Sequence, residues 1–269
     1  MRKSVFFFPN KFERDAKQLS KLSEIYASGV RGVRRDMTLI RSVGVNSDYG
    51  TSMTWLMHLI QRRGQLVTEN IDGDLLEQER ALLTHFNGEA FFNGIGLASK
   101  ELVSDPTCYP LRGALLRFIN DGKDFPKIIA AMSIAADVSL DNEIVFLVPR
   151  NDEILVVGGI AQREEWKLDL TLDSPVIQRM RARCEAFHPY LKNSRLNPEY
   201  PLAQGLRPGR EANIRVEREP RNHGTDPSRI IHSYGHGGSG WSLSFGCAEK
   251  VAGMIEDVLC DDTSKSGII

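Results

Sequence analysis

Apolar residues recur every three or four positions in several stretches of the chain, which is the spacing of one helix face. Leu19 and Leu22 belong to the first such stripe, and Gly29 follows it. A further helix is predicted to begin at Ser174-Pro175, because serine caps helices and proline suits their first position. The other predicted helices are Asp15–Ala27, Met53–Arg63, Asp74–Phe86 and Ala248–Leu259.

Shorter runs that are apolar, or that alternate between apolar and polar residues, predict β-strands. Many of these runs lie between residues 110 and 220, whereas helical spacing is commoner towards the two ends. The sequence therefore predicts a mixed α/β (α+β) fold whose middle part forms an antiparallel sheet. The predicted strands are Gln65–Ile71, Ala90–Phe92, Leu115–Ile119, Ala130–Ala136, Glu143–Val148, Glu153–Val157, Asn213–Glu219 and Arg229–Ser233.

The balance of positive and negative residues limits the kinds of molecule that this protein is expected to bind. The 269 residues include 34 Lys+Arg and 35 Asp+Glu, a net charge of −1, which argues against a broadly basic nucleic-acid binder. No run approaches the ~18 consecutive apolar residues of a membrane span. The apolar run Val5–Phe8 ends at Pro9, too early for the apolar part of a signal peptide. We expect no nucleic-acid partner, no membrane partner and no secretion.

The cysteines indicate a reducing compartment. Cys108, Cys184, Cys247 and Cys260 are widely spaced and form no C-x-x-C pair. This spacing argues against a zinc ribbon and against a disulfide-stapled scaffold, so no metal is expected. An intracellular location fits these observations best.

The segment Tyr234–Ser242 is rich in glycine and lies between a predicted strand and a predicted helix. Its backbone N–H groups at a helix start suit an anion, and Gly235, Gly237 and Gly240 satisfy G-x-G-x-x-G. We expect no dinucleotide fingerprint here, because that motif requires a further strand after the helix. The segment is either a ligand-binding loop or a tight turn. The same two interpretations apply to a second glycine-containing loop, Gly94–Ser99.

Two sequence motifs resemble those of a known protein family. The segment Arg229–Trp241 (RIIHSYGHGGSGW), followed by Gly246-Cys247-Ala248, closely resembles the carboxy-terminal signature of the D-amino-acid oxidase family. Gln204–Pro208 (QGLRP), leading into Asn213–Glu219 (NIRVERE), resembles a second motif of that family. Weaker similarity at Asn93–Gly96 extends the resemblance over roughly residues 50 to 260.

The resemblance implies a flavoprotein oxidoreductase that uses FAD to convert a D-amino acid into a 2-oxo acid, ammonia and hydrogen peroxide. It implies that Arg207 binds the substrate carboxylate and that the Gly238 carbonyl accepts from the substrate amine. The fold implied is a remnant of an FAD-binding domain, residues 1–109 and 221–269, plus an antiparallel-sheet substrate domain, residues 110–220. The implied cofactor-binding residues are Asn93, Gly96, Gly237, Gly238, Ser239, Gly240, Trp241 and Ser242.

One departure from the family changes these expectations. Family members open with a strand, G-x-G-x-x-G and a helix that hold the FAD pyrophosphate, and nothing like this precedes Met1–Ser4. We therefore expect a truncated amino terminus with weakened FAD binding. The loss also predicts an uncovered apolar face, which Phe6, Phe7 and Phe8 of neighbouring copies help to cover in a homo-oligomer.

A second class of function stays open. A flavin-free descendant would use the old substrate pocket for ligand binding or for non-redox chemistry. His232 and His236 are candidates for acid–base work there, and the alternative for each is a hydrogen-bonded structural histidine. Under either hypothesis the partner is a small amino acid or carboxylate, and the compartment is cytoplasmic or peroxisomal.

Overall fold

The computed structural model describes residues 2–7, 39–44, 49–134 and 144–265. The helix predicted over Asp15–Ala27 lies outside these residues, as do Phe8 and the end of the strand predicted over Ala130–Ala136. The sequence-based predictions for these parts therefore stay predictions.

The helices of the described chain are α1 (Tyr49–Gln61), α2 (Leu75–His85), α3 (Ser99–Leu102), α4 (Pro175–Phe187) and α5 (Gly240–Lys265). All but the short α3 overlap a predicted helix. Asp74 caps α2 by accepting a hydrogen bond from the Leu76 N–H at 2.8 Å, and Pro175 occupies the first position of α4 as predicted. Helix α5 starts eight residues earlier than predicted and includes the segment GWSLSFGC.

The strands of the described chain form three sheets. They are β1 (Arg2–Phe7), β2 (Leu39–Gly44), β3 (Phe91–Asn93), β4 (Cys108–Ile119), β5 (Ala131–Ile134), β6 (Val145–Pro149), β7 (Ile154–Arg163), β8 (Leu202–Arg210), β9 (Arg215–Arg218), β10 (Asn222–His223), β11 (Asp226–Pro227) and β12 (Ile230–Tyr234). The largest sheet has the order β2-β1-β5-β6-β7-β4-β8, in which β1–β2, β5–β6 and β6–β7 pair antiparallel and β1–β5 pair parallel.

The second sheet carries the candidate site. Its order is β3-β12-β9, where β12 runs parallel to β3 and antiparallel to β9. Strands β10 and β11 form a separate antiparallel ribbon. The mixed α/β fold with antiparallel pairing is confirmed.

The strand predicted over Gln65–Ile71 is wrong. The structure shows neither strand nor helix there, and Leu66 and Val67 are 58% and 40% exposed. A strand is stable only when a neighbour satisfies its backbone groups, and no described strand pairs with this segment. The apolar alternation of the segment therefore does not produce a strand in this chain.

The chain divides into two compact units. One comprises the described parts of Met1–Val67 together with Arg112–Gln162 and Lys167–Gly205, and the other comprises Thr68–Leu111, Arg163–Trp166 and Leu206–Ile269. This division groups the described residues among the first 67 positions with the strand-rich middle of the chain, whereas the sequence analysis placed this part with the carboxy-terminal part. The assignment of FAD and substrate domains to these units stays a prediction.

Each unit has its own apolar core. In the first unit, α4 packs through Ile177, Met180 and Cys184 against strand residues such as Leu116 and Leu147. In the second unit, one cluster surrounds Ile230 and Tyr234, and another joins α5 to β9 and β12. Burial of α5 through Val251 and Val258 fixes the helix whose first turn follows the glycine-rich loop. Among the described helices, none is long and apolar enough to cross a membrane.

Candidate functional site

The glycine-rich loop joins β12 to α5 and makes two tight reversals. Gly235 and Gly237 adopt positive φ values of 80° and 55°, a conformation that glycine enters without steric cost. The Gly237 N–H donates to the Pro208 carbonyl at 2.7 Å, and the Ser239 N–H donates to the His236 carbonyl at 2.9 Å. The loop is thereby fixed to β8 just before α5 begins.

Arg207 lies beside this loop. A Cβ added at Gly238 would stand 3.7 Å from Cδ and 3.9 Å from Nε of Arg207, so the glycine leaves room next to the guanidinium. Arg207 is half-buried, and burial lowers the pKa of its guanidinium. An anionic ligand at this position would offset that desolvation of the cation. The structure thus brings together the two residues predicted to bind substrate.

The second predicted loop reaches the same point of β8. Gly96 has a φ of 67°, and a Cβ added there would lie 3.5 Å from Cβ of Pro208. Pro208 is therefore contacted by Gly96 and by the Gly237 N–H. Both loops that the sequence singled out meet at the residue that follows Arg207.

Asn93 is completely buried at the end of β3. Its Oδ1 accepts from the Ile95 N–H at 3.1 Å, and its Nδ2 lies 2.9 Å from Nδ1 of His232 and 3.4 Å from Oγ of Ser99. A side chain without exposed surface does not touch a ligand in this conformation. Its contribution to a cofactor site would act through the Gly94–Ser99 loop, whose first amides it orients.

His232 is also completely buried, and its Nε2 lies 3.0 Å from Oε2 of Glu219. Burial, reinforced by the nearby Arg215, lowers the pKa of His232, while Glu219 opposes that shift. His236 lies on the loop itself, and burial lowers the pKa of its imidazole as well. His232 therefore fits the structural interpretation, whereas His236 faces an accessible space described below.

A buried ionic network continues from Glu219 through the second unit. Arg215 Nη2 lies 3.6 Å from Glu219 Oε2, and Arg215 Nη1 donates to the Tyr234 hydroxyl at 2.7 Å. The Tyr234 hydroxyl donates to Asp105 at 2.9 Å, and Arg210 Nε donates to the same carboxylate at 2.8 Å. Burial raises the pKa of Asp105, but the hydrogen bonds from Thr107, Arg210 and Tyr234 outweigh it and hold the pKa well below its usual range.

The sequence analysis did not predict that these residues form a network next to the candidate loops. Asp105 and Tyr234 are 129 positions apart, and no local pattern reports a contact over that separation. Arg215 and Glu219 belonged to a quoted motif, which was the only signal that could have found them.

An apolar cavity of about 450 Å³ lies between the first turns of α5 and the sheet. This volume falls within the range of small-molecule sites. Of the predicted cofactor residues, Gly240 lines it, whereas Gly237, Gly238, Ser239, Trp241 and Ser242 do not. The lining residues are Phe92, Ser233, His236, Gly240, Ser244, Cys247, Ala248, Val251, Ala252 and Ile255.

Comparison with known proteins shows the family to which this chain belongs. Residues 28–254 match the DAO family, described as FAD dependent oxidoreductase. The chain belongs to this family. The match spans both loops and Arg207, so the motifs of this oxidoreductase family are the ones that build the candidate site.

Curated relatives in the DAO family include D-amino-acid oxidases. The protein of Streptomyces coelicolor is 32% identical over 209 residues, which cover 76% of this chain and 56% of that protein. The protein of Rubrobacter xylanophilus is 34% identical over 162 residues, which cover 60% of this chain and 44% of that protein. The chain therefore spans about half the length of these relatives.

Solved structures agree on the fold. Glycine oxidase from Geobacillus kaustophilus superposes with a TM-score of 0.70 at 13% identity, covering 95% of this chain and 71% of the other. Iminodiacetate oxidase from Chelativorans superposes with a TM-score of 0.66 at 13% identity, covering 95% of this chain and 72% of the other. At this identity the likeness shows that the chain has the DAO-like fold.

The site fits the FAD that this family uses. A Cβ added at Gly237 would meet nothing within 4 Å, so open space adjoins the loop, and at Gly238 a Cβ would occupy the space next to Arg207. The start of α5 adds the positive end of a 26-residue helix, which favours an anionic group. A flat cofactor can therefore approach the backbone here closely.

Proposed function

We propose that this chain forms the substrate-facing and flavin-facing part of an FAD-dependent oxidase that acts on a D-amino acid. The observation that carries the proposal is the placement of Arg207, half-buried, against Gly238 in the glycine-rich loop. The family match and the curated relatives named D-amino-acid oxidase support it.

Arg207 is the anchor for the substrate carboxylate in this proposal. A guanidinium presents two parallel N–H donors that match a carboxylate, and such charge-assisted pairs fix orientation as well as position. The Gly238 carbonyl accepts a hydrogen bond from the substrate amine. Together the two groups present the hydrogen on the substrate Cα towards the loop side of the site.

Gly237 to Ser242 and Gly96 are the residues proposed to hold the cofactor. Bound FAD would supply the two-electron oxidation of the substrate, with oxygen and water as co-substrates and a 2-oxo acid, ammonia and hydrogen peroxide as the overall products. The protein's own contribution is to align the substrate and to direct the positive end of α5 towards an anionic group.

Substitution of Arg207 tests the proposal. Arg207→Ala removes two charge-assisted hydrogen bonds, which corresponds to a loss of about 3–6 kcal/mol in carboxylate binding. Affinity for a D-amino acid or an aromatic carboxylate should therefore fall by roughly 10²–10⁴-fold, as measured by isothermal titration calorimetry with FAD present. Arg207→Lys should restore only part of it, because an ammonium cannot form the paired contact.

The matched control is Arg80→Ala, which removes an exposed arginine whose ion-pair partner is Asp226. Exposed pairs of this kind contribute little to stability, so the control should bind as the wild type does. Equal affinity of wild type and Arg207→Ala would remove Arg207 from the site. Carboxylate binding by a wild type that shows no flavin spectrum would favour the flavin-free alternative, whereas the absence of both would contradict the proposal.

A further inference from the structure

A buried network of hydrogen-bonded side chains in the second unit comprises Asn93, His232, Glu219, Arg215, Tyr234 and Asp105. The chemistry proposed above does not use this network, although its two ends adjoin the two candidate loops. At one end Asn93 binds the Ile95 N–H, the first amide after Gly94. At the other end Tyr234, which binds Asp105, is the residue immediately before Gly235. Glu219 and Arg215 lie between these ends.

The hydrogen bonds define the protonation of His232. Because the Ile95 N–H donates to Oδ1 of Asn93, the other atom of that amide is the donor Nδ2. Nδ2 faces Nδ1 of His232 at 2.9 Å, so Nδ1 is an acceptor and carries no hydrogen. The proton of a neutral ring is then on Nε2, which donates to Glu219 at 3.0 Å. The imidazole is a neutral Nε2–H tautomer.

We propose that His232 is a positioning residue, which holds the Asn93 amide in the one orientation that fixes the Ile95 N–H and hence the Gly94–Ser99 loop. An amide turned by half a revolution would place Nδ2 against the Ile95 N–H and Oδ1 against Nδ1, two donors and two acceptors facing each other. His232 therefore selects one loop conformation. The consequence for FAD rests on the proposed function, whereas the positioning itself does not.

The surroundings of His232 keep the ring neutral. From β9 it faces Glu217, and from the residue that follows this strand Glu219, both of which favour the imidazolium, whereas Arg215 of β9 disfavours it. From β3 it faces the uncharged Asn93, and on its own strand the Tyr234 ring packs edge-on with centroids 5.7 Å apart. Burial and Arg215 together lower the pKa of His232, in agreement with the tautomer that the hydrogen bonds require.

Two substitutions separate the two contacts of the ring. In His232→Asn, the side-chain oxygen can replace Nδ1 and accept from Asn93, while the contact with Glu219 is lost. In His232→Gln, the side-chain nitrogen can replace Nε2 and donate to Glu219, while Asn93 loses its acceptor. Asparagine is smaller than glutamine by one methylene group, so a loss of volume alone would disturb the loop more in His232→Asn, which is the opposite of the order expected here.

The readout is amide hydrogen exchange at Ile95 and Gly96, measured by NMR on the whole chain without FAD. We expect exchange about tenfold faster or more in His232→Gln and near the wild-type rate in His232→Asn. Amides of α4, in the other compact unit, serve as the internal reference. Equal acceleration in both variants would overturn the proposal, because a residue that only fills space would give that result.

A third variant keeps the inference testable if either histidine variant fails to fold. Asn93→Asp has nearly the same shape but carries only acceptors when ionised, so the ring between Asp and Glu219 must hold two protons. Ring nitrogen shifts at neutral pH should report the neutral Nε2–H tautomer in the wild type and the imidazolium in Asn93→Asp. An imidazolium or an Nδ1–H tautomer in the wild type would overturn the proposal.

Flavin fluorescence then links the positioning to the proposed function. If the loop holds FAD, His232→Gln should weaken FAD binding more than His232→Asn does, with Asn87→Asp as the surface control. If the wild type binds no FAD, the proposed function fails while the exchange rates still decide the role of His232.

Discussion

At Gly235 the chain passes the side chain of Arg210 more closely than any other residue type permits. An added Cβ would stand 2.8 Å from Cβ and 3.0 Å from Cδ of Arg210. The same arginine binds Asp105, so it cannot move away without breaking a buried hydrogen bond. The glycine is thus required for its φ of 80° and for its small size.

Gly235→Ala should destabilise the protein through both effects. A positive φ costs an alanine about 1–2 kcal/mol, and the collision with Arg210 should add about 1–3 kcal/mol. The control is Gly224→Ala, because Gly224 has a similar φ of 68° but no atom within 4 Å of the added Cβ. Urea unfolding should show the larger loss for Gly235→Ala, and equal losses would contradict the close approach to Arg210.

At the scale of elements, Asp105 joins the segment before β4 to β12 and β8 through Tyr234 and Arg210. Its pKa is held below the usual 3.8, so it stabilises the fold fully above that pH and loses this contribution as the pH falls towards the folded-state pKa. The ionised carboxylate is buried and paired, and its neutral replacement leaves Arg210 without a counter-ion.

Asp105→Asn should lower the free energy of unfolding by about 3–5 kcal/mol near neutral pH. Because asparagine does not titrate, the difference from the wild type should shrink when unfolding is measured at about pH 3. Asp226→Asn, at an exposed ion pair, is the control and should change stability by less than about 1 kcal/mol. A difference that is constant with pH would contradict the depressed pKa of Asp105.

Local patterns predicted most helices and strands and failed where the deciding contact is distant. Asp74 and Pro175 mark helix starts because capping is a local effect. Gln65–Ile71 has the composition of a strand, but its pairing depends on a neighbour that the described chain does not place beside it. The first turns of α5 were missed since glycine and serine there give no apolar stripe, with Phe245 89% exposed.

In the candidate site too, local motifs could be predicted from the sequence, whereas contacts between distant residues could not. Glycine spacing and the resemblance located Arg207, Gly238 and both loops, because a motif is continuous in sequence. Two features could be recognised only in the folded structure: the approach of both loops to Pro208, and the hydrogen-bond network that links Asp105 to Asn93. Both are made of contacts between residues far apart in sequence. Asn93 was predicted as a cofactor-binding residue, and this stays a prediction; the structure shows that its side chain is buried and accepts from the Ile95 N–H.

For the molecule as a whole, we expect self-association. In the second unit the first turns of α5 expose Trp241, Leu243 and Phe245, and in the first unit α1 exposes Met53 and Trp55. Exposed apolar groups that lie close together favour association. Sedimentation velocity should detect oligomers, and Phe245→Ser should reduce them more than Phe86→Ser, at a separate exposed position, does. A wild-type monomer at every concentration would contradict this expectation.

The measurement that tests the central claim most directly is the reduction of bound flavin by a D-amino acid. The chain is loaded with FAD, oxygen is removed, and the visible flavin absorbance is followed after the D-amino acid is added. We predict that the absorbance band disappears for the wild type, persists with the L-enantiomer, and persists or decays far more slowly in Arg207→Ala. A band that stays unchanged in the FAD-loaded wild type, or that disappears equally fast in Arg207→Ala, would contradict the account.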